Sequence, residues 1–251
     1  MNLKDLIFQI LFAASCGLFV TLPFVRSSLV GRSYFVYHGL GAIACCLLIY
    51  VFVGHTHLSE TSPAFLLFLV CGTAFSLLAG SKTNIALAFY FGALVCGILS
   101  VSRLLPNSLA LANFLGSVLL TGFAMASMWL GHWYLVQPKL SINELSRVTG
   151  LLILITILRF LWGSYVGGGI LRGMSETEIY HYLLSSPAGI FVLMRYCWGL
   201  MLPLALCYFI WGTVRIRSTQ SATGLLYVMV LSVLTGETLS QYLALAYAIY
   251  L

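Results

Sequence analysis

Charge is what this chain has least of: among 251 residues there are twelve Lys or Arg and six Asp or Glu, 7% in all. A soluble globular surface carries roughly a quarter charged residues, so that class is excluded. Other absences trim the functions. No lysine lies inside a long apolar run, which excludes a retinal Schiff base. No P-loop is present, so the chain does not hydrolyse ATP itself, and no CxxC, Gly-x-Ser-x-Gly or HExxH supports a thiol oxidoreductase, a serine nucleophile or a zinc protease. The basic residues are scattered along membrane edges and are not interleaved with a stacking surface, which argues against nucleic acid as a partner. No Gly/Ser linker, charge run or repeat divides the chain, so residues 1–251 read as a single integral membrane domain.

What is abundant is hydrocarbon, with 61% of residues hydrophobic. Apolar runs of about 18 residues or more read as spans, and they predict an all-α polytopic bundle of eight: Leu6–Val25, Tyr34–Gly54, Pro63–Gly80, Ile85–Ser102, Leu109–Leu135, Val148–Gly167, Pro187–Gly212 and Thr223–Tyr250. In architecture alone, eight spans in a small chain are similar to the quinol-binding anchor subunits of bacterial oxidoreductases. That likeness carries no residue over.

The basic excess reports topology, because Lys and Arg are retained on the cytoplasmic side of short loops. Loops after the odd-numbered spans hold Arg26, Arg32, Lys82, Lys139, Arg147, Arg215 and Arg217 against Glu144, whereas the other face holds Lys4, Arg103 and Arg172 with Asp5, Glu60, Glu176 and Glu178. Both termini are therefore expected on the outer side, which is the periplasm if the membrane is a bacterial inner membrane. Ala13-Ala14-Ser15-Cys16 faintly resembles a lipoprotein cleavage site, but the apolar run continues to Val25, and the segment is expected to be kept as a span. The seven cysteines all fall in predicted spans and read as reduced packing residues. Ser141 to Glu144 and Ser175 to Glu178 both have capping-box spacing. The first should start the helix that becomes span six, and the second should open a short amphipathic helix lying on the outer face.

Three ionisable side chains lie deep in otherwise apolar runs: Arg159, Arg195 and Glu237. An isolated charge in hydrocarbon costs a few kcal/mol at least, so such groups must pair or line a wet cavity. Counting about 1.5 Å per residue puts all three near the midplane or in the outer half, where they can meet. Helical spacing sets Trp162 beside Arg159, Trp198 beside Arg195 and Gln241 beside Glu237. The expectation is a polar pocket with aromatic walls; the bland alternative is a buried bridge that only fixes helix register. Gly163, Gly167, Gly168 and Gly169 are expected to loosen span six, and Pro203 to interrupt span seven.

The histidines form a second constellation. His38 and His132 are expected at similar inner depth, flanked by Gly39, Gly41 and Gly131, a pattern that suits haem b held between two helices. On the outer side His55, His57 and His181 are candidate copper or zinc ligands.

Three functions follow as expectations. The first is an electron-transfer subunit binding quinone or quinol at Arg159, Arg195 and Glu237, with Glu237 taking the quinol proton, an arginine polarising the quinone oxygen, and redox partner subunits supplying the rest of a larger complex. The second is a structural or assembly subunit docked through small-residue faces such as Gly92-Ala93 with Cys96-Gly97, and Gly122 with Ala126. The third is a transporter of a small solute or anion.

Overall fold

A computed structural model describes residues 2–53, 62–78, 84–102, 105, 107–137 and 140–251, without the side chains of 27, 28, 62, 63 and 84–87. Among the described residues the regular structure is helical throughout. The helices are α1 (Leu3–Thr21), a short α2 (Ser27–Val30), α3 (Arg32–Val53), α4 (Ser62–Leu78), α5 (Asn84–Ser102), α6 (Ser108–Val136), α7 (Asn143–Leu171), α8 (Glu176–Ser185), α9 (Pro187–Tyr196), α10 (Leu202–Arg215) and α11 (Thr219–Tyr247). A five-residue π turn, Cys197–Met201, joins α9 to α10. Six segments are long and apolar enough to cross a membrane: α1, α3, α6, α7, the joined α9–α10 and α11. The third and fourth expected spans correspond to α4 and α5, whose described apolar stretches, Ala64–Leu78 and Ala88–Ser102, are shorter.

Helices α1 and α6 form the centre. They cross in backbone contact at Gly17 and Gly122, where a Cβ on Gly122 would sit 2.5 Å from the Gly17 carbonyl oxygen. Lipid offers no hydrophobic drive between helices, so close approach through small residues is what holds such a crossing. Gly122, read from sequence as a docking face for other subunits, is thus used inside the chain. So is Gly97, which lies against Phe68 and Cys16. On one side of this centre α3, α4 and α5 pack through apolar and aromatic side chains such as Phe12, Phe19 and Phe68. On the other, α7, α9–α10 and α11 pack around polar ones.

Several expectations are corrected here. Helix α7 runs unbroken past the glycines expected to loosen it; Gly163 receives Leu200 and Gly167 receives Tyr196, whose hydroxyl donates to the Gly163 carbonyl at 2.6 Å. Glu144 does not close a capping box with Ser141, because its carboxylate is drawn to Arg26 and Arg147. The Ser175–Glu178 box does form and opens α8.

Candidate functional site

Glu237 is the hub of the polar half. Its Oε2 receives Arg159 Nη2 at 2.7 Å and Ser117 Oγ at 2.5 Å, while its Oε1 receives Arg195 Nη2 at 2.7 Å and Arg159 Nε at 3.3 Å. The sequence expectation that these three charges converge matches this geometry. All are nearly inaccessible, with side-chain exposures of 3% for Arg159, 0% for Arg195 and 6% for Glu237. Among these side chains two guanidiniums face one carboxylate. Further acceptors surround them: Asn113 Oδ1 lies 2.9 Å from Arg159 Nη2, and the main-chain oxygen of Leu251 lies 3.1 Å from the same nitrogen. Ser240 Oγ bridges Asn113 and Leu251.

The backbone explains how Arg195 reaches the hub. Pro203 has no N–H for the carbonyl four residues back, which belongs to Gly199. The Leu202 N–H closes a π turn on Cys197, which leaves the Trp198 carbonyl without its helical donor as well. Both orphans find side chains: Arg195 Nη1 donates to Gly199 at 3.1 Å and Ser232 Oγ donates to Trp198 at 2.5 Å. Pro203 therefore does not break the span; the π turn carries it through. At the same level Gly199 and Gly236 touch, and a Cβ on Gly236 would lie 2.4 Å from the Gly199 Cα. That crossing brings α9 and α11 close enough for the ion pair.

The aromatic walls fare differently. Trp162 donates its indole N–H to the Tyr250 carbonyl at 2.9 Å, at the edge of the cluster. Trp198 is 50% exposed and faces away from it. Its expected place beside Arg195 assumed α-helical spacing, and a π turn takes more residues to come round. Gln241 is buried and donates to Ser117 Oγ at 2.7 Å, which makes a hydrogen-bonded chain Gln241–Ser117–Glu237. Sequence reading missed Asn113, Ser117 and Ser240. The only available signal was polarity at intervals of three or four in spans five and eight, and small hydroxyls in lipid-depth helices commonly bond their own backbone instead.

The histidines are not brought together. His38 is buried, with its ring 4.3 Å from Tyr34 and 4.5 Å from Trp129 and its Nε2 3.3 Å from the Tyr34 hydroxyl. His132 is exposed on α6 and lies 3.5 Å from the Tyr227 hydroxyl of α11. The glycines beside them face protein: Gly39 meets Ser76, Gly41 meets Trp129, and Gly131 meets Thr223. His181 is exposed on α8, while His55 and His57 lie outside the described residues. Among the described residues no three His, Cys, Asp or Glu side chains gather as a metal set.

Gln241 also borders a cleft of about 510 Å³ at the end of the bundle where α1 and α6 begin and α11 ends. Gln9, Leu105, Ala110, Tyr247 and Tyr250 also line it, together with the Ala244–Ala246 stretch and Ala248. Gln9 is 6% exposed, and its Oε1 has no hydrogen-bond partner among the described residues. The chain reverses at this end because Ala248 takes a left-handed conformation (φ 54°) and caps α11. Its N–H bonds the Ala244 carbonyl and the Ile249 N–H bonds Leu243, which turns Leu251 inward. Compared with family models, with curated proteins and with solved structures, the chain matches none.

Proposed function

We propose that the chain is a membrane-embedded subunit of a quinone-linked electron-transfer complex, crossing the bilayer eight times with both termini on the outer, periplasmic side. The quinone or quinol head occupies the cleft bordered by Gln9 and Gln241. The observation that carries this reading is the hydrogen-bonded chain from Gln241 at the cleft through Ser117 to Glu237. It fixes the Gln241 amide and couples the cleft to the ionic core. Gln9 Oε1 is an open acceptor for a quinol hydroxyl. Oxidation of the quinol gives quinone, two protons and two electrons; the electrons pass to a redox partner subunit and the protons to the outer aqueous side. In this reading Glu237 and the arginines act at a distance, as a field and a fixed anchor, and α8 lies along the outer surface.

The test is saturable binding of a tailless benzoquinol to the purified protein in nanodiscs, followed by native mass spectrometry. Gln9→Leu should weaken it by about tenfold, the worth of one buried hydrogen bond. Equal binding by wild type and variant, or no binding at all, sinks the assignment.

One observation favours a second reading, a structural subunit of a membrane complex. Both oxygens of Glu237 are filled by protein donors that tie α6, α7, α9 and α11 together. A protein that fails to bind the quinol and yet loses its fold on Glu237→Gln would belong to this class.

A further inference from the structure

A second space follows the cleft down the same helices. It is an apolar groove of about 180 Å³ between α1, α5 and α6, bordered by Cys16, Val20, Gly97, Val101, Leu111 and Leu115. Three of its walls adjoin ones that border the cleft: Gln9 leads to Cys16 along α1, Ala110 to Leu111 along α6, and the Leu105 N–H bonds the Val101 carbonyl at 3.2 Å, while Phe68 of α4 closes the groove alone. From Gln9 to Val20 the pair of spaces covers eleven residues, about 16 Å at 1.5 Å per residue. Polar groups are concentrated at the outer end, and the lower groove is almost wholly carbon.

We infer that cleft and groove form one site for an isoprenoid-tailed quinol, with the ring at Gln9 and Gln241 and the first part of the tail between α5 and α6. This deepens the quinone reading and rests on it. Three features select this occupant over a phospholipid. The described residues bordering either space carry no charged side chain, a lining that suits an uncharged ring head. The buried, unpartnered Gln9 Oε1 requires a donor, which a quinol hydroxyl supplies. The groove is a single space of about 180 Å³, lined almost wholly by carbon, which suits one hydrocarbon tail. A tail already dissolved in lipid gives up no water on docking, so the groove adds affinity through packing alone.

The experiment compares a tailless benzoquinol with the same ring carrying an isoprenoid tail, in wild type and in two groove variants, by native mass spectrometry from phosphatidylcholine nanodiscs. Gly97→Leu fills the groove, since a Cβ at Gly97 already lies 3.3 Å from Phe68 and 3.5 Å from Cys16. Leu115→Trp fills it from a position that is 38% exposed, where folding tolerates the change. The tailed quinol should bind wild type about fivefold more tightly than the tailless ring, a packing-sized gain. Both variants should lose that gain and keep tailless binding. If the tail brings no gain, or the variants preserve it, the groove assignment is overturned while the head site stands. If neither ring binds wild type, the head site fails and the groove falls with it. Retention of phosphatidylcholine in wild type but not in Leu115→Trp, with no displacement by the tailed quinol, also overturns the proposal.

Discussion

The chain contains two arginine–glutamate–arginine clusters of the same composition in different surroundings. At mid-bundle Glu237 sits between Arg159 and Arg195, and all three are buried. At the end of the bundle away from the Gln9 cleft, the inner end in the proposed orientation, Glu144 sits between Arg26 and Arg147, with the carboxylate buried at 4% exposure but the guanidiniums 66% and 38% exposed. Arg147 Nη2 pairs with Glu144 at 2.8 Å, Arg26 Nε lies 3.7 Å away, and the Arg26 N–H bonds the carboxylate at 3.2 Å. The inner cluster engages one further acceptor, the Phe24 carbonyl, and leaves its surplus charge to water. The mid-bundle cluster is buried away from bulk water and gathers Ser117, Asn113, Gly199 and Leu251 instead. Burial, and not the ion pair itself, decides how much structure must be built around a charge.

The largest expected effect comes from removing the mid-bundle carboxylate. Glu237→Gln leaves two guanidiniums facing each other without a counter-charge and should cost about 3–5 kcal/mol in thermal or denaturant unfolding. Arg195→Met should cost less, because it leaves one neutral Arg159–Glu237 pair. If Glu237→Gln proved no worse than Glu144→Gln, the contrast between the clusters would collapse. Next in size is Gly236→Ala. Its Cβ would collide with the Gly199 backbone and push α9 from α11, an overpacking of about 1–3 kcal/mol. The inner cluster has no equivalent crossing. A neutral outcome in a melting measurement would mean that Arg195 reaches Glu237 without the close approach.

The sequence made the charges legible and their housing obscure. Arg159, Arg195 and Glu237 stand out because ionisable groups in apolar runs are costly, and that cost forces convergence. The helices were legible for the same reason, since hydrocarbon-length apolar runs have few other fates. The π turn was not, although Pro203 and the glycine four residues before it mark a carbonyl without a donor, and Arg195 on the same helix is the available donor. Glu144 was misread because its spacing from Ser141 suits a cap, while the long-range pull of Arg26 and Arg147 lies outside any local pattern. His38 and His132 were expected at one depth from residue counts, but counts do not fix facing, and each has its own tyrosine partner.

A third prediction sharpens the inner half of the comparison. Glu144→Gln should cost about 1 kcal/mol, as ion pairs with exposed partners do. That difference should shrink as salt is raised towards about 1 M, where the Debye length is near 3 Å. The cost of Glu237→Gln should not move with salt, since no mobile ion reaches a core of 0–6% exposure. Equal salt dependence for the two variants in denaturant titrations would show that the mid-bundle cluster is wetter than its geometry implies.

The smallest effect belongs to a carboxylate at the far end of the burial scale. Glu178 is fully exposed at the start of α8, where the Ser175 backbone N–H at 2.7 Å and hydroxyl at 2.8 Å both donate to its Oε2. These two bonds, the backbone one first, hold its carboxyl below the ordinary range. A carboxyl whose folded value is depressed contributes stability above its unfolded value, and that contribution fades as the pH falls through the folded one. Amide protection in Ile179–Leu183 should therefore hold steady as the pH drops through the usual carboxylate range and decline only below it. Ser175→Ala removes the hydroxyl bond but keeps the larger backbone one, so it should move that decline only part of the way towards the ordinary range while leaving the unfolding of the whole bundle unchanged. A wild-type decline already at the ordinary carboxylate pH would show that the box contributes nothing in solution, and that in this chain only burial gives a carboxylate structural weight.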